Sequence, residues 1–234
     1  MKATALTVLL AAVALAATAA PDYTLTERRA ERSFGFGEWA QAGALYELML
    51  DERPDRAPVY ARAIVAASLQ GDTTRSVQLL ERAMAHGVPL DSVVDGVRAS
   101  AFGAGEASVY ADFLLRTRAR MPWIARAIDA RLLHYYDMRG DGPQIVALAE
   151  TMLNGLPDSP RYLALLARGH MLQGHEAEAE AAWRRILQAD PHNLEALRAL
   201  GCRLMAGGHT AEARTLLERA QAIEPTPYIQ SLLQ

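Results

Sequence analysis

Residues 174–193 read GHEAEAEAAWRRILQADPHN, and residues 208–227 read GHTAEARTLLERAQAIEPTP. The two stretches start 34 residues apart, and each has a Gly-His pair at the start, an Ala-Glu-Ala in the middle and an acidic residue followed by Pro near the end. The residues between these marks change. A set of residues that recurs at a fixed spacing, while the residues between them vary, indicates a repeated structural unit.

The same marks extend through most of the chain. A proline follows a short polar turn at Pro54, Pro191 and Pro225. A glycine falls near the middle of each interval, at Gly37, Gly71, Gly105, Gly174 and Gly208. This spacing predicts six repeats, starting near residues 23, 57, 91, 125, 160 and 194, and a C-terminal cap at 228–234. One inserted residue is expected in the fourth repeat, within 138–144.

Each repeat contains two runs with helical periodicity. In the fifth repeat, Leu163, Leu166, Ala167 and His170 share one face of the first run, and Ala179, Trp183, Ile186 and Leu187 share one face of the second. Apolar residues at such intervals predict amphipathic helices. The middle glycine is expected to end the first helix with a positive φ, and the closing proline to end the second.

Two helix starts carry recognisable signals. Ser159-Pro160 has the pattern of an N-cap followed by proline at the first helical position. Thr24-Leu25-Thr26-Glu27 has the pattern of a capping box, which would begin the first helix of the exported chain.

These repeats resemble the tetratricopeptide repeat family, whose pattern asks for small and large residues at set places over 34 residues. The sixth repeat matches it at Leu200-Gly201, Gly208, Ala213, Ala220 and Pro225. The third and fourth depart from it, with Arg98 and Tyr110 at places where the family has small residues. The resemblance implies an all-α fold, an α-solenoid in the form of a right-handed superhelix. In such a fold the first helices line a concave groove that binds a protein or peptide.

The N-terminus has the pattern of a secretory signal peptide at residues 1–19. Lys2 precedes an apolar run over residues 3–16, and Ala17-Thr18-Ala19 supplies small residues for cleavage after Ala19. The alternative is an uncleaved anchor, for which the apolar run is short. We expect a periplasmic or secreted bacterial protein with no stable membrane insertion after cleavage.

Composition argues against several classes of function. A net charge of −3 disfavours nucleic acid as the partner. No phosphate-binding loop, catalytic elbow or metalloprotease motif is present. His175 and His209 follow turn glycines, so we interpret them as turn residues rather than metal ligands. The single cysteine, Cys202, is expected to pack rather than react. We therefore expect no catalytic residues, no cofactor and no metal.

The candidate binding residues come from places that face the groove in the resembling family. The twelfth position of each repeat carries a large apolar residue in five of six cases, at Phe34, Phe102, Tyr136, Met171 and Met205. Packing between repeats is the alternative role for this strip. Nearby positions carry Arg126, Arg161, Arg168 and Arg198 toward the C-terminus, and Glu27, Glu31, Asp95 and Asp129 earlier. A basic end would suit a carboxylate or acidic motif of a partner; ordinary solvated charges are the alternative.

Together these features predict an exported, non-catalytic scaffold that binds a partner protein or peptide in its groove, in a bacterial envelope assembly. The alternative is a self-associating module that forms a homodimer through the C-terminal helix, because the tail 228–234 offers Ile229, Leu232 and Leu233 as apolar contacts.

Overall fold

The computed structural model describes residues 22–234, and that range is built from α-helices and one short 3₁₀ helix, without a strand. The predicted all-α class is confirmed. The predicted signal peptide lies outside the described residues. The chain divides after Arg120 into two compact units, the N-terminal unit and the C-terminal unit, which starts at Met121. Between residues 22 and 234, no helix is long and apolar enough to cross a membrane.

Six helices form the N-terminal unit: α1 (Tyr23–Gly35), α2 (Trp39–Glu52), α3 (Ala57–Leu69), α4 (Thr73–Ala85), α5 (Leu90–Gly103) and α6 (Ala107–Arg120). Helix α3 is central and packs against both α2 and α5. Its contact with α5 is close, because a Cβ placed on Gly96 would lie 2.8 Å from the Cβ of Ala61. Small residues at this crossing therefore set the distance between the two helices.

The C-terminal unit begins with the 3₁₀ helix Pro122–Ile124 and continues with α7 (Ala125–Arg139), α8 (Gly142–Gly155), α9 (Pro160–Leu172), α10 (Glu176–Ala189), α11 (Leu194–Ala206), α12 (Thr210–Ile223) and α13 (Pro227–Leu233). Each helix packs against the next along the chain. Helices α8 and α9 meet closely, since a Cβ on Gly142 would lie 2.9 Å from the carbonyl oxygen of Gly169.

One apolar core runs through α8 to α13 and includes Trp183, Ile186, Leu200 and Leu217. Ile229 belongs to this core and is only 1% exposed. The expectation that the tail presents Ile229 to solvent is therefore wrong. Helix α13 lays its apolar side on α12, and Leu232 and Leu233 pack partly buried against the same core.

The turn glycines adopt the conformation that the sequence predicts. Gly174 and Gly208 have φ values of 74° and 81°, a region that favours glycine because it has no Cβ. The same conformation occurs at Gly37, Gly71, Gly105, Gly87 and Gly140. Gly140 ends α7, which at fifteen residues is longer than the thirteen-residue α9 and α11.

The predicted capping box at residues 24–27 is wrong. Helix α1 begins at Tyr23, and the N-cap is Asp22, whose carboxylate accepts a hydrogen bond from the Thr24 amide at 3.0 Å. Thr24 is thus already inside the first turn. At α9, Ser159 is the N-cap before Pro160, as expected, but its side chain makes no capping hydrogen bond.

Candidate functional site

A depression of the C-terminal unit with a volume of about 690 Å³ lies across α7, α9 and α11. We call it the C-terminal groove. Arg161, Leu165 and Arg168 lie at intervals of three and four on α9, so the helix presents all three on one side. Helix α7 contributes His134 and Asp137, α11 contributes Glu195 and Ala199, and the buried Trp183 reaches the groove from α10.

Arg168 is held by Asp137 on the neighbouring α7. Its Nε lies 2.5 Å from Oδ1 of Asp137, and the side chains are 59% and 24% exposed, respectively. An arginine paired through Nε keeps the Nη group on the far side of the guanidinium directed away from its partner. Arg168 can therefore donate to a ligand while Asp137 fixes its position.

Arg161 differs from the predicted arginines Arg168 and Arg198. It is exposed, and within residues 22–234 it makes no hydrogen bond or ion pair. Arg198 is half-buried, and its Nη2 lies 3.3 Å from the carbonyl oxygen and 3.4 Å from Oε2 of Glu224. The charge of Arg198 is therefore balanced inside the unit. Arg126 is exposed but does not line the C-terminal groove.

A second depression, of about 590 Å³, lies beside the C-terminal groove. It is lined by Leu194, Arg198 and Cys202 and shares Glu195 and Ala199 with the groove. We call it the apolar compartment. Burial raises the pKa of the Cys202 thiol, against smaller lowering effects of Tyr228 and Arg198. The thiol is thus protonated at neutral pH, and Cys202 presents an uncharged surface.

The predicted apolar strip divides into two environments. Phe102 and Met171 are 39% and 37% exposed, and Met171 lines the C-terminal groove. The other three members are half-buried in their own units. The ring of Phe34 packs edge-on against Trp39 at 5.2 Å, that of Tyr136 packs against Tyr135 at 5.5 Å, and Met205 packs against the apolar core.

The N-terminal unit has a smaller depression of about 390 Å³ that includes Glu31, Phe34 and Arg62. Arg62 forms an ion pair with Glu31 and lies over the Phe34 ring at 5.7 Å. Its charge is therefore balanced within the site. Asp129, in the C-terminal unit, was expected to face a groove, but it is buried, so that expectation is wrong.

Sequence reasoning missed the three other ionisable side chains of the C-terminal groove, which are His134, Asp137 and Glu195. Asp137 and Glu195 occupy the thirteenth and second positions of their predicted repeats. The groove-facing repeat positions that made the arginines candidates therefore include these acids as well. His134 falls outside those positions. The prediction of a basic C-terminal end rested on the arginines alone.

The histidines of the opening stretch take structural positions. His175 and His209 are the N-cap residues of α10 and α12. The following acid, Glu176, forms an ion pair with Arg203 of α11. Across the part of the chain that the structure describes, no group of three or more His, Cys, Asp or Glu residues is arranged to hold a metal ion.

Comparison with known proteins supports the repeat interpretation. The sequence profile of the family described as Tetratricopeptide repeat matches residues 170–234. No curated protein is similar enough in sequence to count as a match.

Solved structures share the fold at low sequence identity. The C-terminal part of a TPR repeat-containing protein from Cytophaga hutchinsonii is 12% identical, with a TM-score of 0.51 over 84% of this chain and 78% of that one. MamA (AMB-1) is 18% identical, with a TM-score of 0.50 over 76% of this chain and 98% of that one. Naa15/Naa10 bound to HypK-THB is 15% identical, with a TM-score of 0.51 over 90% of this chain and 33% of that one.

At such identities the likeness concerns the fold alone. The expected fold class, an α-solenoid of helix–turn–helix repeats, is confirmed. Residues 170–234 thus match the tetratricopeptide repeat family, and the chain shares its fold with solved proteins of that repeat type.

Proposed function

We propose that this protein is an exported, non-catalytic scaffold that binds a partner protein or peptide in its C-terminal groove, within a bacterial cell-envelope assembly. Folds of the tetratricopeptide type generally mediate interactions between proteins. Naa15/Naa10, which shares the fold, is bound to HypK-THB. This precedent supports a binding role for the present chain.

The observation that carries the proposal is the composition of the C-terminal groove. Arg161 has no partner within residues 22–234, Arg168 is paired with Asp137, and Met171 is exposed one turn beyond Arg168. Arg184, Arg198 and Arg203 of the same unit, by contrast, form ion pairs with acids. A groove lined by an unpaired arginine, an ion-paired arginine and an exposed methionine has the features of a binding surface, where Arg and Met are enriched.

Co-purification from the native envelope tests the binding role. We expect the wild-type protein to retain a specific partner after mild cross-linking, and the double variant Arg161→Glu, Met171→Glu to lose it. Arg139→Glu is the matched control, because Arg139 is an exposed arginine on α7 outside the groove. Equal helicity of all three proteins by circular dichroism excludes unfolding. Retention of the partner by the double variant would contradict the proposal.

Export rests on the sequence of residues 1–19 and has its own test. We expect the protein in the periplasmic or secreted fraction, with an N-terminus that follows Ala19 by mass spectrometry. A chain that keeps Lys2 and sediments with membranes would support the anchor instead.

Dimerisation through the C-terminal helix has less support. The apolar residue best placed to carry it, Ile229, is buried within its own unit. The exposed Tyr228 is the large apolar side chain that α13 leaves for such a contact. Light scattering of the purified protein decides between monomer and dimer.

A further inference from the structure

We infer that the partner segment presents an acidic side chain and, about three residues away, an apolar side chain, which occupy the C-terminal groove and the apolar compartment, respectively. This inference rests on the proposed function and specifies its ligand. It follows from the different chemistry of two depressions that share a wall.

The C-terminal groove favours a carboxylate near α9. Arg161 and Arg168 leave the same side of that helix, and Arg161 has no partner within residues 22–234. Asp137 pairs with one of the two guanidinium groups, and Glu195, the other acid of the groove lining, forms no ion pair with Arg161, so among the described residues the charge of Arg161 is left unpaired on α9. Arg168, which is positioned by its ion pair with Asp137, can add a donor to a carboxylate that Arg161 attracts.

The apolar compartment offers no unpaired cation among its described lining residues. Arg198 directs its Nη2 to Glu224, and its methylene groups remain beside Leu194 and Ala199. The Cys202 thiol is uncharged, because burial raises its pKa. An anionic ligand group here would lose hydration without gaining a partner, whereas an apolar side chain gains by leaving water.

The common wall sets the spacing between the two ligand side chains. Glu195 and Ala199, one turn apart on α11, line both depressions. The apolar compartment is lined by α11 alone, so a ligand that reaches both depressions crosses the surface of this helix. A helix with its side chains is about 10 Å across and an extended peptide advances about 3.3 Å per residue, so the crossing corresponds to about three residues. Glu195, between them, can accept hydrogen bonds from peptide N–H groups and disfavours a second acid at that place.

Fluorescence anisotropy with synthetic peptides tests this inference. The probe is a fluorescein-labelled decapeptide of Gly and Ser with both termini blocked, carrying Glu and, three residues later, Leu. Matched probes replace Glu with Gln or Lys, or Leu with Ser. A further probe has Gln in place of Glu and a free C-terminal carboxylate. We expect the Glu/Leu probe to bind at least ten-fold more tightly than each of the others.

Protein variants test which depression binds each side chain of the probe. In Arg161→Gln the preference for Glu over Gln should fall to within about two-fold, with the preference for Leu over Ser kept. Ala199→Leu places a larger side chain on the shared wall, and Leu194→Asn makes the apolar compartment more polar. In both variants the preference for Leu over Ser in the probe should fall. Arg139→Gln, outside both depressions, should bind like the wild type.

Several results would overturn the inference. They are equal binding of the Glu and Gln probes, tighter binding of the Lys or free-carboxylate probe, an Arg161→Gln variant that still prefers Glu, or no binding of any probe. If the native partner is nonetheless lost on Arg161→Glu, Met171→Glu substitution, the groove still binds a partner and only its ligand chemistry is wrong. If the partner is kept, the proposed function itself fails.

Discussion

The guanidinium group of Arg185 donates a hydrogen bond to the carbonyl oxygen of Pro157 at 2.8 Å. The same contact recurs 34 residues later, from Arg219 to the carbonyl of Pro191. In both cases an arginine of one helix pair reaches back to the turn that closes the preceding pair. The sequence period thus appears again as a period of contacts between repeats.

These two contacts should contribute modestly to stability. Both carbonyls are accessible to water, which replaces part of a lost hydrogen bond. We expect Arg185→Ala and Arg219→Ala each to lower the free energy of unfolding by roughly 0.5–1 kcal/mol, measured by urea denaturation. The double variant should show nearly the sum, since the sites are distant. An unchanged double variant would show that the contacts contribute nothing in solution.

Gly201 should not tolerate a side chain. A Cβ at this position would lie 2.8 Å from Cδ2 of the buried Leu217, so α11 and α12 could keep their spacing only if Leu217 moved. We expect Gly201→Ala to destabilise the protein by about 1–3 kcal/mol, in spite of the better helix propensity of alanine. Gly155→Ala is the control, because nothing lies within 4 Å of its Cβ position. A stabilised Gly201→Ala protein would contradict the packing described.

Substitution of Ile229 should lower the stability of the fold and leave self-association unchanged. Truncation of a fully buried isoleucine leaves a cavity, so Ile229→Ala should cost about 2–5 kcal/mol in thermal or urea unfolding. We expect light scattering to give the same mass for this variant and for the wild type. A change from dimer to monomer without loss of stability would favour the dimer alternative. Tyr228→Ser, at an exposed position of the same helix, is the control for stability.

The ion pair between Glu212 and Arg184 predicts a small acid dependence of stability. The side-chain hydrogen bond from Arg184 lowers the pKa of Glu212 in the folded chain. A carboxyl group with a lowered folded pKa stabilises the fold above its unfolded pKa, and this contribution is lost as the pH falls through the folded value. Both side chains are exposed, so the effect should stay below about 1 kcal/mol.

The measurement compares unfolding free energies at pH 6 and in steps below pH 4.5. We expect Glu212→Gln to lose less stability on acidification than the wild type. Glu178→Gln, an exposed acid of α10, should follow the wild-type profile. Identical profiles for all three proteins would show that the pair has no net effect.

Much of the fold could be predicted from the sequence because interactions between residues close in sequence determine it. Gly174 and Gly208 mark turns through a backbone conformation that other residues avoid. The spacing of Ala179, Trp183 and Ile186 predicts the buried side of α10, and all three belong to the core. The capping box was wrong for a local reason as well: Asp22, one residue before the helix, caps it more directly than Thr24 could.

The candidate site was harder to predict because it depends on contacts with side chains from other helices. The positions of Arg161, Arg168 and Arg198 within their repeats made all three candidate binding residues. Only packing distinguishes them, since Asp137 lies 31 residues before Arg168 and Glu224 lies 26 residues after Arg198. Arg161 has no such partner within residues 22–234.

Helical periodicity assigns a side chain to a face of its own helix, and for that reason the repeat period, the helices and the turn glycines could be read directly from the sequence. It does not specify which charge of the next helix will stand opposite, or how far a neighbouring helix covers that face. The balance of charge around Arg161 and Arg168 and the burial of Ile229 and Asp129 were therefore decided by the tertiary structure. Both properties arise from contacts between helices, at distances that no single helix specifies.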